Sequence, residues 1–307
     1  MKTFAPIALF VYNRLEHTRQ TIDSLLQNPE AALSKLYVFS DYAKNDENIP
    51  KIEEIRKYLK TISGFSEIHI IEREQNFGLA KSIISGVTQV LETHDNIIVL
   101  EDDLQCSPTF LEYMNRNLSL FEHKFDIFSI SGYSPPIEIP QDYEAESYLF
   151  IRINSWGWAT WRNRWKSVDW DVLDFKNFVK NRSLQTQFEK GGEDVSIMLM
   201  KQMYRRISSW AIRFNYAAFK QNMFTVYPVN SQILNKGADG SGVHVKNTKQ
   251  YAVDLNQKRK FHIGIAPVEN AQISANFKKF YQRSWIRKTI NFLLKLYPRP
   301  SNPLWKL

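Results

Sequence analysis

The densest chemistry in this 307-residue chain is Glu101-Asp102-Asp103, three adjacent carboxylates after the apolar run Asn96-Ile97-Ile98-Val99-Leu100. Neighbouring carboxylates repel one another unless a cation compensates them. Hard oxygen donors of this kind suit Mg²⁺ or Mn²⁺, ions that also bridge phosphate oxygens. A solvated acidic turn capping the next helix uses the same residue types, but acids at the end of a buried strand favour a metal site. A second acidic pair, Glu193-Asp194, follows Gly191-Gly192 and opens a helical stretch running to Arg206. A helix N-terminus favours an ionised carboxylate, which suits Asp194 as a proton acceptor; plain N-capping after a glycine turn accounts for the same pattern. His244 closes a polar loop from Asn235 that holds three glycines, a setting that can hardly bury it. Trp156, Trp158 and Trp161 crowd the segment 154–165, as a sugar-stacking platform or as core.

The elements that must position these residues alternate through the first third. Pro6 to Tyr12, Leu36 to Phe39, Ile68 to Ile71 and Asn96 to Leu100 are apolar runs of the kind buried on both faces of a sheet. Between them, Glu16 to Leu26, Ile52 to Ile62 and Gly78 to Glu92 carry apolar residues at helical spacing. This alternation predicts an α/β fold with a parallel sheet flanked by helices, whose ligands bind at the carboxyl ends of the strands. The loops there hold Asn13-Arg14, Ser40-Asp41, Gln75-Asn76-Phe77-Gly78 and the acidic triplet. Beyond Phe110 the pattern loosens. Strands are expected near 125–130 and 224–229, and a helix over 194–206.

Composition excludes several classes. At 43% hydrophobic and 23% charged, the chain has a globular and not a disordered composition. One cysteine, Cys106, rules out an internal disulfide and a cysteine zinc finger; it reads as a small buried residue. No apolar run reaches membrane-spanning length, and the residues after Met1 show no signal-peptide pattern, so a cytoplasmic protein is expected. The formal net charge is +8, yet residues 1–276 balance, with 32 basic and 32 acidic side chains. The whole excess lies in 277–307, which has eight basic residues and no acid. Nucleic-acid binding would spread such charge over the main domain, so no nucleic-acid partner is expected.

Five segments, in order, resemble the GT-A glycosyltransferases, in particular bacterial family 2 enzymes and N-acetylglucosaminyltransferase I. Residues 97–103, Ile-Ile-Val-Leu-Glu-Asp-Asp, resemble the acidic DxD-type motif, and residues 76–82, Asn-Phe-Gly-Leu-Ala-Lys-Ser, the segment beginning Asn-x-Gly. Asn154 to Trp161 resembles the acceptor-side Gly-Trp segment. Gly191 to Asp194 is similar to the Gly-Gly-Glu-Asp of inverting enzymes such as β-1,4-galactosyltransferases. Asp239 to His244 resembles a late glycine-rich loop near the sugar diphosphate.

The resemblance implies a Rossmann-like GT-A domain over about 1–265, with a nucleotide-binding half to about 110 and an acceptor half from about 111. It implies Asp103 as the direct Mn²⁺ or Mg²⁺ ligand, and Asp102 at the ribose or in the metal shell. Glu101 falls at the donor sugar or as a positioning partner, Arg14 and Asp41 at the base and ribose end, and Asn76 and Gly78 beside the donor. His244 is implied as a metal or diphosphate contact, Asp194 as general base with Glu193 beside it, and Trp156 and Trp158 at the acceptor. Where relatives often carry Asp before a tryptophan, this chain has Ser208 two residues before Trp210. The implied activity is inverting, metal-dependent transfer from a nucleotide sugar, a UDP-sugar above others, to a hydroxyl of a growing cell-surface or lipid-linked glycan. A sugar-phosphate nucleotidyltransferase is the alternative, weakened by the absence of glycine in Asn13-Arg14-Leu15; a catalytically silent, membrane-associated glycan-binding protein is another.

The remainder, 266–307, reads as a basic C-terminal tail with an amphipathic helix over Trp285–Tyr297. On a helical wheel its apolar residues share one wide arc and Arg287, Lys288, Asn291 and Lys295 the other. Such a helix lies in a membrane interface or packs on its own domain. The uncompensated charge favours an anionic membrane surface as partner, with the protein peripheral at the cytoplasmic membrane face.

Overall fold

The computed structural model describes residues 4–237, 250–256 and 265–306. Its centre is an eight-stranded sheet. The first half supplies β1 (Ile7–Val11), β2 (Lys35–Ser40), β3 (Glu67–Glu72) and β4 (Asn96–Glu101), with helices α1 (Leu15–Leu26), α2 (Ile49–Leu59) and α3 (Leu79–Leu91) between them. These are the expected strands and helices, shifted at their ends by a few residues. After β4 come a short strand β5 (Leu104–Cys106), α4 (Phe110–Leu120), β6 (Ile127–Ser131), β7 (Ser147–Phe150) and β8 (Trp158–Trp161). Helices α5 (Arg162–Lys166), α6 (Phe175–Lys180), α7 (Arg182–Phe188), α8 (Val195–Met203) and α9 (Trp210–Lys220) follow, then β9 (Phe224–Pro228), β10 (Ile233–Asn235), α10 (Ala271–Phe280) and α11 (Trp285–Leu296).

The strand order is β3-β2-β1-β4-β8-β6-β9-β7. All strands run parallel except β7 and β8, which oppose their neighbours. The apolar runs follow from burial on both faces. In β1, Ile7, Leu9 and Val11 pack in one core with Leu25, Ile55 and Leu100, while Ala8 and Phe10 pack in the other with Ile83, Val87 and Val99. The chain leaves β1 toward β2 on one side and meets β4 on the other. That reversal opens a crevice at the carboxyl ends of β1 and β4, where Asn13-Arg14 and Glu101-Asp102-Asp103 emerge. A second, two-stranded sheet pairs β5 with β10, so Leu104 lies opposite Asn235 and the chain after β10 returns to the acids.

Two expectations about the second half change. Trp158, expected at the acceptor, is 1% exposed. It sits on β8 among Trp165, Trp210 and Phe214, with ring centroids 4.8–5.8 Å away. A ring enclosed by three aromatic side chains offers no face to a sugar, and Trp161 is buried likewise. The tail also joins the body of the molecule. Ile273 and Phe277 of α10 are buried against Tyr148, Phe150 and Tyr227, and Leu294 of α11 and Trp305 against Val195, Leu199 and Tyr216. Both helices therefore complete hydrophobic clusters that begin in the catalytic region.

Candidate active site

The acids at the end of β4 are compensated by one arginine. Arg14, in the turn between β1 and α1, places Nη2 against Asp102 Oδ1 and donates to Asp103 Oδ2 at 2.9 Å. Asp102 is buried; its Oδ2 accepts from Tyr12 N at 3.3 Å, and its carbonyl accepts from the Thr21 hydroxyl at 2.8 Å. The β1–α1 turn and the acidic turn are thus tied at three points. Burial works against the Arg14 charge, but the two carboxylates outweigh it and hold the guanidinium well above its ordinary pKa. Burial, with the charges of Asp103 and Asp102, pushes Glu101 up to about 8. Burial also raises Asp102 against the pull of Arg14. Arg14 was expected at the base and ribose end of a donor site; its guanidinium lies on the acids instead, because that is where buried negative charge needs an ion pair.

The chain after β10 closes on the same cluster. Lys236 N donates to Asp103 O at 2.8 Å. A Cβ at Gly237 would lie 2.1 Å from Asp103 Oδ2 and 3.3 Å from Arg14 Nη1, so a side chain there would have to displace the Asp103 carboxylate. Arg14 Nη1 is buried with no hydrogen-bond partner among the described residues. His244 lies outside the described residues.

A second cluster surrounds the turn before α3. Asp41, expected to contact the nucleotide, spends its carboxylate on the protein. It accepts from Tyr42 N at 3.0 Å, Phe77 N at 2.9 Å, Gly78 N at 3.0 Å and Asn76 Nδ2 at 3.2 Å. Asn76 also donates to Tyr42 O at 2.7 Å. Asp41 and Asn76 therefore shape the 76–78 turn. Gly78, with φ +68°, enters α3 from a backbone region that side chains disfavour.

The third cluster is built around Asp194. This residue stands at the N-cap of α8 but caps nothing with its side chain. Its carboxylate is instead held by the half-buried Arg152, Nη1 to Oδ1 at 2.7 Å and Nη2 to Oδ2 at 3.0 Å, with Arg283 at 3.2 Å. Burial pushes the Asp194 pKa up; Arg152 and then Arg283 outweigh it and leave the carboxylate below its ordinary range. Arg152 donates further to Gly191 O at 3.2 Å and lies 3.9 Å from the centre of the Tyr281 ring. Glu193 accepts from Arg283 N and from Lys288 Nζ, each at 2.9 Å. Sequence reasoning passed over Arg152; the available signal was a single charged residue within the apolar run Tyr148-Leu149-Phe150-Ile151-Arg152-Ile153.

Aromatic contacts connect the clusters. Gly157 and Gly132 pack on Ile233 of β10, close to the acids. Beside them Trp156 meets Tyr133 and Tyr251 edge-on, at 4.6 and 5.6 Å between centroids. Tyr251 touches Phe280, and Phe280 touches Tyr281, which covers Arg152. Trp156 is half-buried on this path. Ser208 is exposed in the segment leading to α9, whose N-cap is Ser209.

Among the described residues no three His, Cys, Asp or Glu side chains are grouped to hold a metal ion. The donor set offered to a divalent cation is the Asp102 and Asp103 carboxylates, hard oxygen ligands of the kind Mg²⁺ and Mn²⁺ take together with substrate phosphates. A buried and a half-buried carboxylate sharing one guanidinium keep an excess of negative charge, and a cation fits that demand.

With the geometry in place, the class is clear. The chain belongs to glycosyltransferase family 2, whose model matches residues 7–185. It is a glycosyltransferase, built on a mostly parallel, helix-flanked sheet. Among solved structures the chain is similar to the mannosyltransferase PcManGT from Pyrobaculum calidifontis in complex with GDP-Man and Mn²⁺. The identity is 12% over 72% of this chain and 70% of that one, with a TM-score of 0.39. No curated protein matches the chain.

Proposed function

We propose that this glycosyltransferase is metal-dependent and inverting, and that it moves a sugar from a nucleotide sugar, with UDP-sugars as first candidates, to a hydroxyl of a growing glycan. The observation that carries this reading is the separation of two carboxylate sites. One, Asp102-Asp103, is placed at the switch point of the sheet and suited to a cation. The other, Asp194, is kept ionised by Arg152 beside a half-buried aromatic path.

In this reading the donor enters the crevice at the ends of β1 and β4, with the turn shaped by Asp41 and Asn76 on its flank. Asp102 and Asp103 hold the divalent ion, which when bound supplies Lewis-acid stabilisation to the leaving nucleoside diphosphate. Arg14 answers the same negative charge and turns its unpartnered Nη1 toward the diphosphate. Asp194 accepts the acceptor hydroxyl proton as the new C–O bond forms on the face opposite the departing diphosphate. Ionisation of Asp194 is ensured by its arginines, at the expense of basicity. Trp156 offers the acceptor an aromatic edge.

The test is nucleoside-diphosphate release from a panel of UDP- and GDP-sugars, with Mn²⁺ or Mg²⁺ and with chelator, together with calorimetric titration of UDP. Release from one donor that vanishes with chelator supports the reading. Donor hydrolysis or transfer at full rate in chelator overturns metal dependence, and retained anomeric configuration in the product overturns the base assignment.

A further inference from the structure

Helix α11 is mounted the wrong way round for an ordinary amphipathic helix. Its docked side carries Leu294 and Asn291, with Lys288 paired to Glu193 and Lys295 paired to Glu189. Its outer side carries the apolar residues. Trp285 is 79% exposed, Ile286 66%, Phe292 60% and Tyr297 66%, with Leu293 and Leu296 also exposed. At 100° per residue these six lie within an arc of roughly 140°, interrupted only by Thr289. Together they present several hundred Å² of apolar surface, more than scattered exposed side chains give on a monomer.

We propose that this face is a docking surface for an anionic lipid bilayer, on which the enzyme lies with α11 parallel to the membrane plane. Two observations choose this occupant. Trp285 opens α11 and Tyr297 is its C-cap, so an aromatic ring stands at each end of the helix, and amphipathic rings of these types settle at the depth of lipid headgroups. The chain beyond Glu269 carries no acid and leaves Lys278, Lys279 and Arg299 exposed, while the acids nearest α11, Glu189 and Glu193, are taken by Lys295 and Lys288 on its docked side. Anionic headgroups complement that rim. A second copy of this chain would instead bring the same positive charge against itself. No described helix is long and apolar enough to cross a membrane, so the contact is peripheral. The proposal does not depend on the donor or the metal.

The experiment is flotation of the full chain with phosphatidylcholine vesicles, with and without phosphatidylglycerol, at low and raised salt. Wild type should float with the phosphatidylglycerol vesicles, less so at raised salt. Trp285→Ser with Phe292→Ser should lower partitioning by about tenfold or more while leaving the melting temperature unchanged, since both side chains are exposed. Lys278→Glu with Lys279→Glu should remove the preference for the anionic lipid. The proposal is overturned if wild type stays unbound at low salt, or if the Trp285/Phe292 variant floats as wild type does. It is also overturned if wild type sediments as a dimer that this variant dissociates, without binding vesicles.

Discussion

Replacing Arg152 by methionine tests the architecture around the proposed base. Methionine keeps most of the side-chain length and apolar contact with Tyr281 but removes two charge-assisted bonds to Asp194 and the one to Gly191 O. Asp194 is then a buried carboxylate whose remaining cation is the half-exposed Arg283 at 3.2 Å. Removing one partner of a buried pair costs roughly 3–5 kcal/mol. Arg283 recovers part of that, so the expected loss is about 3 kcal/mol. In a chain of this size that lowers Tm by roughly 5 °C. The same change acts on chemistry. Burial, no longer outweighed, lifts the Asp194 pKa, so the acidic limb of the kcat/KM profile should move to higher pH. Thermal melts and pH–rate profiles of wild type, Arg152→Met, Asp194→Asn and the double variant form a cycle, and the double variant should melt above Arg152→Met. An Arg152→Met protein that melts within about 1 °C of wild type, with an unmoved acidic limb, would refute the account.

Three further outcomes follow from the geometry. Asp103→Ala should reduce turnover by several kcal/mol of transition-state stabilisation, on the order of what a Lewis-acid metal supplies; its Tm should change little because Arg14 keeps Asp102. Trp158→Ala should cost about 3–5 kcal/mol in a denaturant titration and leave the acceptor KM of the folded fraction unchanged, since the ring belongs to the core. Glu101 binds its proton more tightly folded than unfolded, between its ordinary 4.5 and about 8. Its contribution to stability is therefore fully present below pH 4.5 and lost as pH rises toward 8. Melts across this window should lose a slope of at most about 1.4 kcal/mol per pH unit in Glu101→Gln.

The first half of the fold was legible because each layer leaves its own period in the sequence. Strands buried on both faces read as unbroken apolar runs, helices show one apolar side, and three acids after β4 have no structural reason to be there unless something cationic meets them. The rest fails for physical reasons. β7 and β8 are four residues each and sit among aromatic segments with no alternation, so Trp158 could not be told from a surface tryptophan. Asp41 looked like a ligand because nothing in the sequence shows that four donors of its own loops converge on it. Arg152 was missed because its partner lies 42 residues away, joined only when β7 and α8 meet.

The tail shows that ion pairs can decide which side of an amphipathic helix is seated. The helical wheel of α11 divides apolar from basic, and hydrophobicity alone would turn the apolar arc inward. The acids of the 189–194 segment decide otherwise. Glu189 and Glu193 take Lys295 and Lys288, while Asp194 and Glu193 take the side chain and backbone of Arg283. Leu294 and Trp305 then anchor the assembly in the cluster beneath. Charge balance over residues 1–276 hid this, since a net of zero is a sum and not a map. The acids that bind the tail are the ones around the proposed base. The segment that carries the apolar surface therefore also holds Asp194 and Glu193 in place, so α11 is joined to the proposed base through Arg283 and Lys288.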